Sequence, residues 1–244
     1  MNQILSKIII VIPAYNEETI ISQTIFSLEY FCQKNMANYD WRIVIADNNS
    51  TDRTAEIVRK SEEKSNGRII YKFIPQKGKG VAVKESWKDF DADIYVFMDA
   101  DLATDLSALP VLVKELKNGN DLVIGSRFAK GSSAKRPIIR KITSGVFSLV
   151  TRLMFGLKIK DYPCGFKGVN KNVIKNILPL VKNDAWFFDT ELVIRSAISG
   201  MKIKEIPVIW QDRDRNKSKS RVSILKVTKE YLRELLKLKR ELNN

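Results

Sequence analysis

Apolar runs of strand length recur at Ile8–Ile12, Ile43–Ala46, Ile69–Ile74, Ile94–Met98 and Leu122–Ile124. Lys72 apart, they are apolar throughout rather than alternating, which predicts strands covered on both faces. Between them lie segments with helical spacing, about Glu18–Gln33, Asp52–Lys64, Gly80–Phe90 and Ser107–Lys117. Strand alternating with helix predicts an α/β fold with a mostly parallel central sheet and helices on both faces. Ligands of such sheets bind at the carboxyl ends of the strands, near the switch in strand order. The loops after those ends are Pro13–Glu18, Asp47–Asp52, Gln76–Gly80 and Asp99–Asp105. Asn, Asp and Gly are ordinary turn formers, but four such loops on one edge together predict a site.

The second half has a different pattern. Pro137–Phe155 reads as a helix with an apolar stripe (Ile138, Ile142, Val146, Leu149, Leu153) and basic residues Arg136, Arg140, Lys141 and Arg152. An irregular segment follows at Asp161–Lys167. Trp186–Glu191 then opens a helix that stops at Gly200, in the manner of a C′ glycine. Lys202–Trp210 is a predicted strand, Asp212–Arg221 is dense in charge, and Val222–Leu242 is a basic amphipathic helix. This divides the chain into a domain over 1–221 and a C-terminal helix over 222–244. That helix has three possible places: on lipid, on the domain, or against another copy.

Composition narrows the chemistry. The formal net charge of +14 over 244 residues favours an anionic partner, whether nucleic acid, an acidic membrane or a phosphorylated substrate. There is no histidine, which excludes a Ser-His-Asp triad and a histidine general base. Two cysteines, Cys32 and Cys164, are too few for a disulfide framework and fit buried thiols in a reducing cytosol. The start of the chain lacks a signal-peptide pattern. The apolar stretch Val146–Leu157 is interrupted by Arg152 and falls short of the roughly 20 residues needed to cross a bilayer.

The sharpest local feature is Asp99-Ala100-Asp101, directly after a predicted buried strand. Two carboxylates one residue apart can turn toward one hard cation, Mg²⁺ or Mn²⁺, which would neutralise a diphosphate leaving group. The alternative is a pair of caps for the next helix. Lys77-Gly78-Lys79-Gly80 lets backbone N–H groups approach a phosphate before a helix N-terminus, or is a basic turn; it lacks the Walker A arrangement.

Taken in order, Pro13-Ala14-Tyr15-Asn16-Glu17-Glu18, Asp47-Asn48-Asn49-Ser50-Thr51-Asp52, Lys77-Gly78-Lys79-Gly80 and Asp99-Ala100-Asp101 resemble the family 2 glycosyltransferases of the GT-A fold. Gly125-Ser126-Arg127-Phe128, Asp161 with Cys164-Gly165-Phe166-Lys167, and Trp186-Phe187-Phe188-Asp189-Thr190-Glu191-Leu192 are similar to its polyprenyl-phosphate branch, the dolichyl-phosphate hexosyltransferases. The resemblance spans about Ile8 to Lys219. It implies that Pro13, Ala14, Tyr15, Glu17, Asp47 and Asn49 line the nucleotide pocket with Lys77, Gly78 and Lys79. Asp99 and Asp101, with Ala100 between them, would hold the metal and the donor diphosphate. Arg127, Arg140 and Ser144 would meet an acceptor phosphate, and Arg213 with Lys219 would close over the site. Two departures stand out. The usual Asp-Asp-Gly-Ser is Asp47-Asn48-Asn49-Ser50, and the glycine expected before Ser218-Lys219 is Asn216.

The acceptor follows from a separate argument. A sugar hydroxyl needs a general base, for which Asp189 and Glu191 are the candidates. A phosphate monoester, with a second pKa of about 6, is already largely dianionic near neutral pH and needs fixed positive charge instead. The expected protein is thus an inverting enzyme that moves a hexose, glucose from UDP-glucose, onto a polyprenyl or dolichyl phosphate. It would lie peripherally on the cytoplasmic face of a membrane, with Pro137–Phe155 in the interface; the competing reading packs that stripe onto the sheet. Rival readings use GDP-mannose or UDP-GlcNAc, or a glycan hydroxyl acceptor. A basic nucleic-acid-binding protein would interleave basic residues with exposed aromatics, a pattern the chain lacks. A homo-oligomer is compatible with the sequence.

Overall fold

The computed structural model describes residues 5–135, 137–211 and 224–243. The elements in chain order are β1 (Lys7–Ala14), α1 (Ile21–Asn35), β2 (Asp40–Asp47), α2 (Thr54–Lys64), β3 (Ile69–Phe73), α3 (Lys79–Lys88), β4 (Ile94–Met98), α4 (Ala108–Lys117), β5 (Leu122–Ser126) and β6 (Ser133–Lys135). The chain continues through α5 (Ile138–Phe155), β7 (Phe166–Asn170), α6 (Lys171–Asn176), α7 (Phe188–Ile198), β8 (Ile203–Pro207), β9 (Ile209–Gln211) and α8 (Ile224–Asn243). All five apolar runs are strands, and the four intervening periodic segments are helices.

The main sheet has the order β3-β2-β1-β4-β7-β5-β8. It is parallel except for β7, which runs antiparallel to both β4 and β5. The chain winds from β1 outward through β2 to β3, then returns to place β4 on the other side of β1. The order therefore switches between β1 and β4, and the crevice of the fold opens at their carboxyl ends. Below it, Trp87 of α3, Phe97 of β4 and Phe188 of α7 pack with ring centroids 5.8 to 6.3 Å apart, so the helices that bear the site are seated on one aromatic cluster.

Two segments differ from the sequence pattern. Asp161–Lys167, expected to be irregular, ends in β7. That strand carries the buried Lys167 and a Gly168 where a Cβ would come within 2.3 Å of Leu112 Cδ2, so its burial is not written in apolar side chains. The single strand expected over Lys202–Trp210 is two. β8 pairs with β5 in the main sheet, and β9 pairs with β6 in a separate two-stranded ribbon. The break falls after Pro207, which has no N–H to offer a continuing ladder.

The stripe of α5 does not pack onto the sheet. Ile138, Ile139, Ile142, Val146, Leu149 and Leu153 are 50% to 77% exposed and fall within a band about 100° wide at 3.6 residues per turn. The buried side of the helix carries Ser148 and Thr151. The C-terminal helix α8 packs on the domain through Tyr231, Leu235 and Leu238. Tyr231 sits edge-on between Phe147 and Phe187 and donates to the Trp186 carbonyl at 2.7 Å.

Candidate active site

The loop after β1 is tied to the loop after β2. Asn16, at φ +53°, donates its N–H to Ser50 Oγ and accepts from the Thr51 N–H through Oδ1. The Glu17 N–H donates to Thr54 Oγ1, and the Glu17 carbonyl accepts from Ile20 and Ile21 at the start of α1. Pro13 and Ala14 end β1, and Tyr15 stands partly exposed with Lys77 Nζ 5.6 Å from its ring centre. Asp47, the last residue of β2, is buried; it accepts from Tyr71 Oη at 2.9 Å and from the Ser50 N–H at 3.0 Å. Asn49 adopts φ +61°, the left-handed conformation that glycine takes most readily and asparagine tolerates. The departure from the usual glycine is thus accommodated in the backbone.

The Lys-Gly-Lys-Gly segment differs from a phosphate cradle. The Gly78 N–H donates to Asn48 Oδ1 at 2.6 Å. A Cβ on Gly78 would meet the Asp184 carbonyl oxygen at 2.1 Å, and one on Gly80 would meet the Asn183 carbonyl oxygen at 2.7 Å. The glycines therefore admit the 183–184 backbone, and Asn48, the second residue of the altered Asp-Asp-Gly-Ser, holds the turn. Lys79 turns inward. Its ammonium lies 2.9 Å from Asp99 Oδ1 and 2.9 Å from Asp189 Oδ2. Burial works against that charge, but Asp189 and Asp99 hold the lysine well above its ordinary pKa.

Asp99 ends the path of β4 into the crevice, its side chain 43% exposed. A Cβ on Gly165 would fall 1.9 Å from Asp99 Oδ2, so that glycine makes room for the carboxylate. Asp101, two residues on, accepts from the Ala103 N–H at 3.1 Å, and Leu102 between them takes φ +49°. A small cleft opens between Asp99, Thr104, Gly165 and Trp210. Among the described residues no cluster of three or more ligating side chains gathers. A pair of carboxylates one residue apart fits Mg²⁺ or Mn²⁺, which take one or two carboxylates and complete their shell with substrate phosphates and water.

Asp189 and Arg127 are engaged differently from expectation. Asp189 is buried in the first turn of α7, one oxygen on Lys79 and the other 3.5 Å from Lys167 Nζ. Glu191 accepts from the N–H groups of Lys182 and Asn183 and pairs with Arg195 at 2.7 Å. Neither carboxylate is presented to an incoming hydroxyl. The Arg127 fork, expected for an acceptor phosphate, is filled by the fully buried Asp161, with Nε and Nη2 donating at 2.8 and 2.7 Å. Burial opposes the guanidinium charge and Asp161 more than restores it, raising the pKa. Ser144 lies on α5, its Oγ 3.2 Å from the Lys141 carbonyl. Arg140 lies in the first turn of α5, and Arg213 and Lys219 lie outside the described residues. The sequence assigns no role to Asn16, Asn48, Asp161 or Lys167, although all four stand in the motifs that carry the family resemblance, and that membership is the available signal.

The profile of glycosyl transferase family 2 matches residues 9–178. Among relatives, the glycosyltransferase AglD of Haloferax volcanii is 29% identical over 84% of this chain and 33% of its own length. The dolichyl-phosphate beta-glucosyltransferase of Saccharomyces cerevisiae is 32% identical over 91% of this chain and 72% of its own length. The chain thus spans a third of the first and under three quarters of the second. Among solved structures, glucosyl-3-phosphoglycerate synthase from Mycobacterium tuberculosis in complex with UDP superposes with a TM-score of 0.70 at 19% identity, covering 95% of this chain and 79% of that one. The same synthase is also known in complex with Mn²⁺, UDP-glucose and phosphoglyceric acid. The fold is therefore GT-A.

Proposed function

Since the chain belongs to glycosyl transferase family 2, and is accordingly a glycosyltransferase, we propose that it transfers a hexose, glucose from UDP-glucose, to a polyprenyl or dolichyl phosphate at a membrane surface, with inversion. The observation that carries this reading is the outward apolar face of α5. A bridge between Thr104 and Trp210 joins the β6–β9 ribbon to the Asp99–Asp105 loop, and the chain runs from β6 almost directly into α5. The ribbon that precedes this apolar helix is thus joined to the loop of the donor carboxylates, where a lipid-borne acceptor would arrive. No helix among the described residues is long and apolar enough to cross a bilayer; the exposed apolar stripe of α5 supports a place in the interface, proposed here to be on the cytoplasmic face.

The chemistry then needs little from the protein beyond placement. Tyr15 and Glu17, with Pro13, Ala14, Asp47 and Asn49, border the nucleoside, and Asp99 and Asp101 present oxygen to a divalent cation. That cation, when bound, would take up charge developing on the leaving diphosphate, an effect of several kcal/mol. An acceptor phosphate oxygen bonds to the anomeric carbon as the bond to the diphosphate breaks on the opposite face. No proton has to be removed from that oxygen, in keeping with an Asp189 enclosed by two lysines. Arg127 acts here by fixing Asp161 and the 161–165 turn behind Asp99, while Arg140, Ser144, Arg213 and Lys219 are the proposed contacts of the acceptor phosphate.

The test is transfer from a panel of labelled nucleotide sugars to a short-chain polyprenyl phosphate with Mn²⁺ or Mg²⁺. Label should enter the lipid phase with UDP-glucose. Transfer only to free sugars or glycans would refute the acceptor, and transfer from GDP-mannose alone would refute the donor.

A further inference from the structure

We propose that Lys79 is a built-in counter-ion of Asp99 that keeps the nucleotide-free site's affinity for a divalent cation low, and so couples cation uptake to arrival of the donor diphosphate. The inference rests on the metal role assigned above to Asp99 and Asp101. Its basis is a chain of alternating charges that runs from the interior to the crevice. Lys167, wholly buried, faces Asp189 Oδ1, Asp189 Oδ2 faces Lys79, and Lys79 faces Asp99 Oδ1. Asp99 thus already has an ammonium on one oxygen, and it attracts a bare divalent cation weakly because like charges repel at close range. A diphosphate adds negative charge and further oxygen ligands. The Lys79 side chain is 8% exposed and held from three sides, by the two carboxylates and by the Phe97 ring at 5.1 Å. It is thus a fixed charge rather than a mobile surface lysine. Coupling of this kind is reciprocal: the cation must tighten the nucleotide by the factor by which the nucleotide tightens the cation.

The experiment titrates Mn²⁺ into the nucleotide-free protein and reads free Mn²⁺ by electron paramagnetic resonance, with and without UDP. Lys79→Met should bind Mn²⁺ roughly tenfold more tightly than wild type without UDP, and UDP should improve its Mn²⁺ affinity by a smaller factor. Lys79→Arg, which keeps the charge, should stay near wild type. Asp189→Asn should move the other way, because Lys79 is then left to Asp99 alone, and weaken Mn²⁺ several-fold. General damage to the site would weaken every variant, so the opposite signs separate a counter-ion from a merely structural residue. Unchanged or weaker Mn²⁺ binding in a folded Lys79→Met protein overturns the proposal. Should Lys79→Met not fold, Asp189→Asn decides it, and unchanged or tighter binding there overturns it equally. Wild-type protein that binds no Mn²⁺ even with UDP, or whose binding survives Asp101→Ala, would overturn the metal site itself.

Discussion

Lys167 looks like one more cation in a chain with 42 lysines and arginines, yet it is wholly buried between the Cys164 carbonyl and Asp189. Paired burial of this kind is costly to break from one side. Asp161→Ala would strand the Arg127 guanidinium, so a loss of about 3 kcal/mol or more is expected, readable as a lowered denaturation midpoint with unchanged slope. Asp101→Ala should behave oppositely: Asp101 is only half-buried, so the thermal transition should hold while transfer falls below detection at saturating Mn²⁺. A third residue-scale expectation concerns the thiols. Burial pushes Cys32 up to about 12, with Glu29 adding to it, and Cys164 up to about 11. The thiolate is the reactive form, so at pH 8 both should resist iodoacetamide in the native protein and react once it is unfolded in urea. The acidic pair, the asparagine-rich turns and the buried cysteines were legible as residue types in order. The ion pairs were not, because a charge's partner is set by the tertiary fold: Lys79 meets Asp189 from 110 positions away.

At the scale of elements, uniform apolar runs identified β1, β2, β4 and β5 because burial on both faces leaves no alternation. The same signal failed for β7, where a lysine and a close-packed glycine occupy strand positions. It was also ambiguous for α5, since a periodic stripe says that a helix has two faces without saying which one is covered. Here the covered face is the one with Ser148 and Thr151. The exposed face can therefore be changed without harming the fold. Ile142→Ser with Leu153→Ser should shift stability by no more than about 0.5 kcal/mol per site, while recovery with sedimented vesicles falls several-fold. Equal recovery of variant and wild type would remove α5 from the interface. For α8, the buried Tyr231 between Phe147 and Phe187 predicts that Tyr231→Ala destabilises by about 3 kcal/mol, in the range for deleting a core aromatic. It should also depress transfer, since the Tyr231 hydroxyl anchors the Trp186 carbonyl and the Trp186 ring lies 5.7 Å from Lys79 Nζ.

For the molecule as a whole, the formal charge of +14 and the outward face of α5 make one joint prediction. Apolar insertion and electrostatic attraction to an anionic leaflet are separate contributions with different salt dependence. Burial of isoleucine and leucine side chains is nearly insensitive to salt, whereas attraction between surface charges decays within a Debye length, about 10 Å at 0.1 M and 3 Å at 1 M. The charge itself is not concentrated at the donor carboxylates, where lysines and acids neutralise one another in the chain from Lys167 to Asp99. Binding to vesicles with anionic lipid should fall steeply between 0.05 and 0.5 M salt, two concentrations chosen to span roughly a threefold change in Debye length. A smaller salt-resistant fraction should persist and should vanish in the Ile142→Ser, Leu153→Ser double variant. Neutral vesicles should show only the salt-resistant part. If salt removed all binding from wild type, charge alone would be holding the protein at the surface, and the apolar face of α5 would need another occupant.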